Sequence, residues 1–292
     1  MSGIACKICP HSCYLLPGEI GKCGARQGQI NRVVPINYGE CTAIALDPIE
    51  KKPLARFDPG KQILSYGSFG CNLTCAFCQN WEISQMGKEF QGAESPREAT
   101  RRKVKSYPLS PKELTEQAAE LKERGNIGVA LTYNEPLICP EYIMDVAELM
   151  HAQDLKLVLV TNGYVMASVA EQVFEVVDAA NIDLKSFHQD FYTDVGAPAG
   201  LATVKQTIEI AHRAGCHVEV TTLLIPRLND YKEEMREEFA WLASLDPEIP
   251  LHLSAFHPAY KMRDREATSP SLVREFALIA QEKLKYVYLG NV

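Results

Sequence analysis

The segment Cys71-Asn72-Leu73-Thr74-Cys75-Ala76-Phe77-Cys78 places three cysteines at the spacing C-x3-C-x2-C, shortly after an apolar stretch typical of a strand, Ile63–Tyr66. Thiolates are the ligands of iron–sulfur clusters, and a [4Fe–4S] cluster has four irons. Three thiolates therefore leave one iron without a protein ligand, as in catalytic metal sites that keep one position open. The spacing predicts a catalytic [4Fe–4S] cluster held by Cys71, Cys75 and Cys78.

A zinc knuckle is the alternative interpretation of the same loop. Structural zinc takes four tetrahedral ligands, mostly cysteine and histidine. The next cysteine after Cys78 is Cys139, and the next histidine is His151, so no fourth ligand follows nearby. The loop therefore favours the cluster.

Composition places the chain among ordinary globular proteins. Of its 292 residues, 46% are hydrophobic and 23% charged, which provides enough apolar material for a core. The longest apolar runs have the length of strands and are too short to span a bilayer. A net charge of −7 argues against a large nucleic-acid-binding face. The amino terminus carries no leader of signal-peptide type, and we expect a cytoplasmic protein that binds neither membrane nor nucleic acid.

Beyond residue 60 the sequence alternates apolar strands with amphipathic helices. The expected strands are Ile63–Tyr66, Ile127–Leu131, Leu157–Val160, Ala179–Leu184, Val218–Ile225, Leu251–Phe256 and Val287–Leu289. The expected helices lie near Glu141–Ala152, Met166–Val176, Leu201–Ala214, Tyr231–Ala243 and Ser271–Leu284, and another begins at Ser110. This alternation predicts an α/β fold with a parallel sheet. The number of strands suits an incomplete (β/α) barrel, and a doubly wound open sheet is the alternative.

Two parts of the chain differ in character. Residues 1–60 are rich in Cys, Gly and Pro, and we predict that they form a metal-binding extension of the partial barrel at residues 61–292. Within the barrel part, Gln85–Tyr107 is polar with a basic stretch and is predicted to be a long loop. The chain stops at Val292, directly after an expected strand, so we expect that a carboxyl-terminal tail has been lost or trimmed.

A second set of cysteines, Cys6, Cys9, Cys13 and Cys23, lies in the extension. Four thiolates can complete a tetrahedral zinc site or an auxiliary [4Fe–4S] cluster. The spacing does not distinguish the two, and we prefer structural zinc, with His11 as a neighbour of the site. A reducing compartment makes metal binding the better use of clustered cysteines than disulfides.

At the cysteine loop the chain resembles the radical S-adenosylmethionine (SAM) superfamily. It looks most similar to the branch of the pyruvate formate-lyase activating enzyme. Within that branch the segments Cys71–Gln85 and Asp47–Leu54 are similar to AmmeMemoRadiSam-system radical SAM enzymes. The resemblance implies an incomplete (β/α)6-type TIM barrel, with the cluster and SAM at the carboxyl ends of the strands.

The resemblance continues at successive strand ends. Thr132-Tyr133-Asn134-Glu135-Pro136 stands where the superfamily usually has Gly-Gly-Glu-Pro, whose glutamate binds the SAM amino group. Thr161-Asn162-Gly163 and Asp183-Leu184-Lys185 resemble activase segments that approach SAM, and His257 occupies the place of an activase histidine. Phe77 is either a core residue or an aromatic wall against adenine. The predicted SAM-binding residues are Phe77, Asn134, Glu135, Thr161, Asn162, Asp183, Lys185 and His257.

Each strand-end motif also has a simpler interpretation. Thr-Asn-Gly is ordinary turn chemistry. Asp183 and Lys185 are alternatively a surface ion pair, and His257 a loop histidine. Their coincidence with successive strand ends, where barrel enzymes place their chemistry, favours a shared site.

The resemblance implies reductive cleavage of SAM to methionine and a 5′-deoxyadenosyl radical, which abstracts hydrogen from a substrate. It implies an electron donor such as reduced flavodoxin or ferredoxin. One interpretation is an activase that takes a hydrogen from a backbone glycine of a partner protein. Another is radical modification of a small molecule or of another protein side chain. A zinc or iron–sulfur redox or binding module without catalysis is the alternative from a different class.

Overall fold

The apolar stretches of the sequence form the strands of the molecule. The computed structural model describes residues 2–85, 88 and 95–292. Its strands are β1 (Ile4–Ala5), β2 (Tyr14–Leu15), β3 (Arg26–Gly28), β4 (Val33–Pro35), β5 (Glu40–Cys41), β6 (Ala43–Pro48), β7 (Gln62–Gly67), β8 (Tyr107–Pro108), β9 (Asn126–Leu131), β10 (Lys156–Thr161), β11 (Ala179–Asp183), β12 (His217–Leu224), β13 (Leu251–Ala255) and β14 (Val287–Gly290).

Helices connect most of the later strands. They are α1 (Trp81–Ser84), α2 (Pro96–Val104), α3 (Pro111–Glu120), α4 (Pro140–His151), α5 (Ala167–Phe174), α6 (Gln189–Asp194), α7 (Gly200–Arg213), α8 (Lys232–Leu245) and α9 (Pro270–Ala280), with 3-10 turns at Ile49–Lys51, Lys122–Arg124 and Pro136–Ile138. At the start of α3, Ser110 and Glu113 form the predicted capping box. Within the described ranges, no helix combines the length and apolar character needed to cross a membrane.

Eight strands form one sheet in the order β14-β13-β12-β11-β10-β9-β7-β6. β7 and β9 to β14 run parallel, and β6 pairs antiparallel with β7. The predicted α/β class and the incomplete TIM barrel are confirmed. β6 was not predicted; it lies inside the predicted extension and joins it to the barrel sheet. The division into two domains at residue 60 stays a prediction.

One end of the barrel is filled by the segment that follows β6. Ile49 and Leu54 are fully buried there against side chains of β7, β9 and β10. The carboxylate of Glu219, near the amino-terminal end of β12, accepts hydrogen bonds from the backbone N–H groups of Ala55 (2.9 Å) and Arg56 (2.7 Å). The space for a ligand therefore lies at the opposite end of the barrel, where the strands have their carboxyl ends.

The prediction of a long loop over Gln85–Tyr107 is wrong in its second half, where α2 forms. α2 begins with a proline, which is common at the first helical position. The residues that follow it favour helix formation. The basic side chain of Arg97 is held by Glu40, with 2.9 Å between Nη2 and Oε1, so the helix is tied to the extension. Residues 86–87 and 89–94 of the predicted loop lie outside the described part of the chain.

A carboxyl group is buried between α8 and the sheet. Glu238 is fully buried, and its Oε1 accepts a hydrogen bond of 2.5 Å from the Thr222 hydroxyl of β12. Its Oε2 has no hydrogen-bond partner among the described residues. Burial raises the pKa of Glu238 to about 8, and the hydrogen bond from Thr222 opposes this effect.

We expect Glu238→Gln to stabilise the fold at alkaline pH. In the unfolded chain the Glu238 carboxyl ionises near its usual pKa, while in the folded protein it stays protonated up to about pH 8. As the pH rises from the unfolded-state pKa to the folded-state pKa, the free energy of unfolding of the wild type therefore decreases, by at most about 1.4 kcal/mol per pH unit. Glutamine cannot ionise, so this loss disappears in the variant.

The measurement is urea unfolding of both proteins at pH 5 and pH 9. At pH 9 the free energy of unfolding of the variant should exceed that of the wild type. At pH 5 the two values should differ little. Glu237→Gln, on the exposed neighbouring residue, removes the same charge and should show no such pH dependence. An equal effect of both variants would contradict the assignment.

Candidate functional site

The polar residues at the strand ends surround one cavity of about 280 Å³. It lies at the carboxyl ends of the parallel strands, where the α/β barrel is open. The structure brings every predicted cysteine-loop and strand-end residue to the wall of this cavity: Cys71, Cys75, Cys78, Phe77, Asn134, Glu135, Thr161, Asn162, Asp183, Lys185 and His257. Asp183 and Lys185 do form an ion pair, and its place on the cavity wall favours the shared site over a surface pair.

Backbone hydrogen bonds hold the cysteine loop over the barrel from several sides. The Cys71 N–H donates to the Cys23 carbonyl (3.0 Å) and the Thr74 N–H to the Val195 carbonyl (2.8 Å). The Ala76 carbonyl accepts from the Lys261 N–H at 2.9 Å. The loop is thus held between the extension, the end of α6 and the segment after β13.

Cys75 of the loop is buried, while Cys71 and Cys78 are partly buried. Sγ of Cys71 accepts from the Leu73 N–H (3.4 Å) and from Nδ2 of Asn162 (3.5 Å). Burial raises the pKa of Cys71 well above its usual range and that of Cys75 to about 11. These thiols remain protonated at neutral pH unless a metal centre displaces the protons.

A buried carboxylate lies beneath the loop. Oε1 of Glu135 accepts from the Thr161 hydroxyl (2.6 Å) and the Leu137 N–H (2.9 Å), and Oε2 accepts from the Asn162 N–H (2.8 Å). Burial raises the pKa of Glu135 to about 7, although all three hydrogen bonds oppose the rise. The carboxyl group is therefore in a position to exchange its proton near neutral pH.

An ion pair occupies the next strand end. Nζ of Lys185 lies 2.7 Å from Oδ2 of Asp183, and the side chain of Lys185 is only 13% exposed. Burial lowers the pKa of Lys185, but the charge of Asp183 and its hydrogen bond outweigh this effect and raise the pKa above its usual range. Lys185 therefore brings a positive charge to the thiol side of the cavity.

Comparison with known proteins identifies the family of this site. The sequence model of the radical SAM superfamily matches residues 66–242. This chain belongs to the radical SAM superfamily. An uncharacterized protein of Methanocaldococcus jannaschii is 37% identical over 293 residues, which cover 99% of this chain and 81% of that protein. The pyruvate formate-lyase-activating enzyme of Clostridium pasteurianum is 23% identical over 214 residues, or 68% of this chain and 81% of that enzyme.

A solved structure supports the fold of this radical SAM protein. A radical SAM methyltransferase from Sphaerobacter thermophilus matches 80% of this chain and 67% of its own, with a TM-score of 0.54 and 16% identity. At that identity the likeness concerns the fold alone. The superfamily resemblance predicted from the cysteine loop is confirmed, and the narrower likeness to AmmeMemoRadiSam-system enzymes stays a prediction.

The superfamily implies a [4Fe–4S] cluster and SAM as cofactors, and the residues present fit both. Three thiols line the cavity together with polar groups from the strand ends. Because each thiolate of a [4Fe–4S] cluster binds a different iron, these three thiols would leave the fourth iron free. That donor set is the one the cluster of the superfamily requires.

Two predicted SAM-binding residues have other partners in the structure. The side-chain amide of Asn134 accepts from the Ser68 N–H (2.9 Å) and donates to the Phe69 and Gly70 carbonyls (both 3.2 Å). It therefore positions the start of the cysteine loop. The exposed His257 donates from Nε2 to the Asn291 carbonyl (3.2 Å). Contacts of either residue with SAM stay predictions.

Sequence reasoning missed two residues that support the loop. Nζ of Lys88 donates to the Leu73 carbonyl at 2.8 Å, inside the cysteine loop. Asn72 donates from Nδ2 to the Tyr164 carbonyl (2.6 Å), and its Oδ1 accepts from Asn162 (3.0 Å). Lys88 gave no signal, because it lies in a polar stretch without periodicity. The position of Asn72 between two ligand cysteines was the available signal for its role.

A substitution at Gly70, the residue before the first loop cysteine, tests the packing of the cysteine loop against the extension. Its φ of +90° suits glycine, and a Cβ there would lie 2.7 Å from Cβ of Ala25 and 2.8 Å from the Cys23 carbonyl. We expect Gly70→Ala to lower the free energy of unfolding by the strain of overpacking, about 1–3 kcal/mol, in addition to the backbone cost. Urea denaturation measures it.

Gly60→Ala is the matched control for this variant. Gly60 has a similar φ of +81°, but no atom lies within 4 Å of the position that a methyl group would take, so only the backbone cost remains. Equal destabilisation by the two substitutions would show that the loop does not press on the extension.

Proposed function

We propose that this protein is a radical SAM enzyme that binds a [4Fe–4S] cluster through Cys71, Cys75 and Cys78. The observation that carries the proposal is the shared cavity, which combines the three thiols with a carboxylate, an ion pair and amide groups from successive strand ends. The bound cluster and SAM would supply reductive cleavage to methionine and a 5′-deoxyadenosyl radical, which removes hydrogen from the substrate.

The strand-end residues suit the methionine part of SAM. Glu135, once ionised, attracts the amino group, and its hydrogen bonds from Thr161 and Asn162 fix its orientation. Lys185 attracts the carboxylate, while Asp183 keeps Lys185 in place. Glu135 is buried and the side chain of Lys185 is only 13% exposed, so water screens these two charges little.

Phe77 and His257 suit the remaining part of SAM. Phe77 is 8% exposed and lines the cavity between two ligand cysteines. Its ring offers an apolar wall for adenine, and it helps to keep water from the reacting groups. His257 also lines the cavity and is exposed to solvent.

An activase-like reaction, with hydrogen taken from a backbone glycine of a partner protein, is the first candidate, although two other relatives are named GTP 3′,8-cyclase. Two matching proteins carry activating-enzyme names: the relative from Clostridium pasteurianum, and the benzylsuccinate synthase activating enzyme of Thauera aromatica, 27% identical over 128 residues. Modification of a small molecule or of another protein side chain is the second candidate. A binding module without catalysis would not need the polar residues that line the cavity at the strand ends.

The four cysteines of the extension complete the proposal as a second metal site. Cys6, Cys9 and Cys23 are buried and Cys13 partly so, and none of the ten cysteines is paired in a disulfide. Thiol ligands of this kind need a reducing compartment, which supports a cytoplasmic location. The reductant would be a low-potential one-electron donor such as reduced flavodoxin or ferredoxin.

The first test is anaerobic SAM cleavage. After reconstitution with iron and sulfide, the reduced wild type should convert SAM to 5′-deoxyadenosine. A triple variant, Cys71→Ala, Cys75→Ala and Cys78→Ala, should lose at least about two orders of magnitude of this rate, because no thiolate remains to hold the cluster. Quantification of 5′-deoxyadenosine by chromatography measures the rate.

Cys216→Ala serves as the control. Cys216 is buried and distant in sequence from the cysteine loop, and its thiol donates to the carbonyl of the adjacent His217 at 3.7 Å. This variant should keep the wild-type rate. If the wild type bound zinc and cleaved no SAM, the proposal would be refuted and a binding module would be favoured.

A second test concerns the protonation of Glu135. The folded-state pKa of Glu135 is about 7, so below that pH its carboxyl group is mostly protonated. SAM binding then requires that Glu135 first lose its proton. The association constant of SAM should fall up to about tenfold per pH unit below pH 7 and level off above it. Calorimetry of the anaerobic, cluster-loaded protein between pH 6 and pH 8.5 measures this dependence.

Glu135→Gln should bind SAM weakly, with no such pH dependence. Glu148→Gln, on the exposed face of α4, should retain the wild-type profile. If Glu135→Gln kept the full dependence on pH, another group would have to be responsible.

A further inference from the structure

Positive charge on this chain is concentrated in and directly after α2. Residues 95–107 contain five basic residues and one acidic residue, whereas the whole chain carries a net charge of −7. The basic segment after β13 is different, because residues 261–266 combine three basic residues with two acidic ones. Unbalanced charge of one sign sets the potential over a surface and steers partners of the opposite sign. The region of α2 therefore attracts an acidic partner, while the rest of the chain, which is acidic in sum, repels one.

Three of these basic side chains are available to a partner. Arg102 and Lys103 lie near the carboxyl-terminal end of α2, Lys105 follows it, and all three residues are exposed. Within the described ranges, none of the three side chains takes part in a hydrogen bond, an ion pair or a ring contact. Tyr107, which is 45% exposed, follows them in the sequence. Arginine and tyrosine are enriched in protein interfaces, so this set of side chains suits a contact with a protein.

One buried carboxylate fixes α2 at both ends. Glu40 is 1% exposed, and its Oε1 lies 2.9 Å from Nη2 of Arg97 in the first turn. Its Oε2 accepts a hydrogen bond of 2.8 Å from the Ser106 hydroxyl, beyond the last turn. A block of like charges is often a disordered segment. Here the cations lie on an element that is held at both ends, so less conformational freedom is lost when a partner binds.

The inner side of α2 packs next to the cysteine loop. Val104 packs against a group of buried side chains that includes Phe69 and Cys23. Phe69 lies two residues before Cys71, and the Cys23 carbonyl accepts the hydrogen bond of 3.0 Å from the Cys71 N–H. α2 is therefore close to the first predicted ligand of the [4Fe–4S] cluster, with one group of buried side chains between them.

α2 lies outside the cavity of the proposed reaction. In the part of the chain that the structure describes, no residue of α2 lines that cavity. SAM and the substrate occupy the cavity in the proposed function, so a macromolecule on α2 would not compete with them. An electron crosses a protein only over a short distance, so its donor has to dock close to the cluster. The position of α2 therefore suits an electron donor better than a substrate.

We propose that Arg102, Lys103 and Lys105 form the docking surface for an acidic one-electron donor protein of the flavodoxin or ferredoxin class. This role rests on the proposed radical SAM function. The three cations steer the donor to the face of the molecule next to the cysteine loop and orient it there. Because salt screens exposed charges, the complex is short-lived, which suits a donor that leaves after each transfer.

The electron balance of the docked complex is one for one. The donor protein is oxidised by one electron, and the [4Fe–4S] cluster on Cys71, Cys75 and Cys78 is reduced by one electron. No bond between protein atoms forms or breaks, and no proton transfer is required.

Direct binding tests the docking surface. In anaerobic calorimetry of the cluster-loaded protein with an acidic ferredoxin, the triple variant Arg102→Glu, Lys103→Glu and Lys105→Glu should bind at least about tenfold more weakly than the wild type. The affinity of the wild type should also fall as the salt concentration rises from about 20 to about 300 mM, because salt screens exposed charges. A wild type that binds no ferredoxin at low salt would overturn the proposal.

The matched control reverses three exposed cations elsewhere, in the variant Arg124→Glu, Arg213→Glu and Lys283→Glu. These residues precede β9, β12 and β14 and therefore lie at the amino-terminal end of the barrel, away from the cysteine loop. The control changes the net charge by the same amount, and its affinity for ferredoxin should stay within about twofold of the wild type. An equal loss of affinity in both variants would assign the effect to net charge alone and contradict the docking surface.

A comparison of reductants tests the role of the docked donor. With limiting reduced ferredoxin at low salt, the triple variant at α2 should cleave SAM at least about tenfold more slowly than the wild type. With a small chemical reductant, which needs no docking surface, the two rates should agree within about twofold. Equal losses with both reductants would indicate a structural role of α2, and equal rates with ferredoxin would show that the donor docks elsewhere. Either result overturns the proposal.

The variant Arg102→Gln, Lys103→Gln and Lys105→Gln covers the case in which charge reversal unfolds α2. It removes the cations without adding carboxylates, so it should show a smaller loss in the same direction with unchanged circular dichroism. If this variant kept ferredoxin binding and lost binding of single-stranded RNA, the surface would belong to a nucleic acid instead. Failure of the wild type to cleave SAM with the chemical reductant would refute the radical SAM function, and the ferredoxin titration would still decide whether the donor docks on α2.

Discussion

The carboxylate of Glu135 is the group on which the site depends. It accepts hydrogen bonds from Leu137 after its own strand and from Thr161 and Asn162 at the end of the neighbouring strand. This is possible because β9 and β10 run parallel in register, so that their carboxyl ends meet. The backbone N–H of Glu135 also donates to the Gly70 carbonyl at 3.2 Å. One residue thus joins two strand ends and the cysteine loop, and the cavity keeps its shape through these bonds.

The same constraint explains why a short Cys-rich segment is part of the barrel. Leu73 and Phe77 of the loop above Glu135 pack into the core, and the loop is also held by contacts with the extension. The extension in turn is anchored by Arg26, whose guanidinium is buried against Glu141 at 2.8 Å, and by β6 at the edge of the sheet. The extension thus acts together with the end of α6 and the segment after β13, which also bind the loop through backbone hydrogen bonds.

Much of this could be predicted from the sequence, because buried parallel strands are continuous apolar runs and catalytic residues follow them directly. β12 and the ends at Thr161 and Asp183 are examples. β6 could not be identified, since its residues are only half-buried and its partner is set by the tertiary fold. Lys88 escaped detection for a different reason: only its contact with the Leu73 carbonyl in the folded protein gives its charge a role.

Tyr133 shows how this chain departs from the superfamily pattern. Its φ of +69° is one that glycine adopts freely and that costs a tyrosine about 1–3 kcal/mol. The ring offsets this strain by packing where Gly67 has no side chain, and its hydroxyl donates to Asp47 at 3.2 Å. Asp47 is itself paired with the buried Lys52 at 3.0 Å. The wall of the cavity therefore contains a phenol fixed by an ion pair where the related motif has no side chain, so the space left for a substrate differs in both shape and polarity.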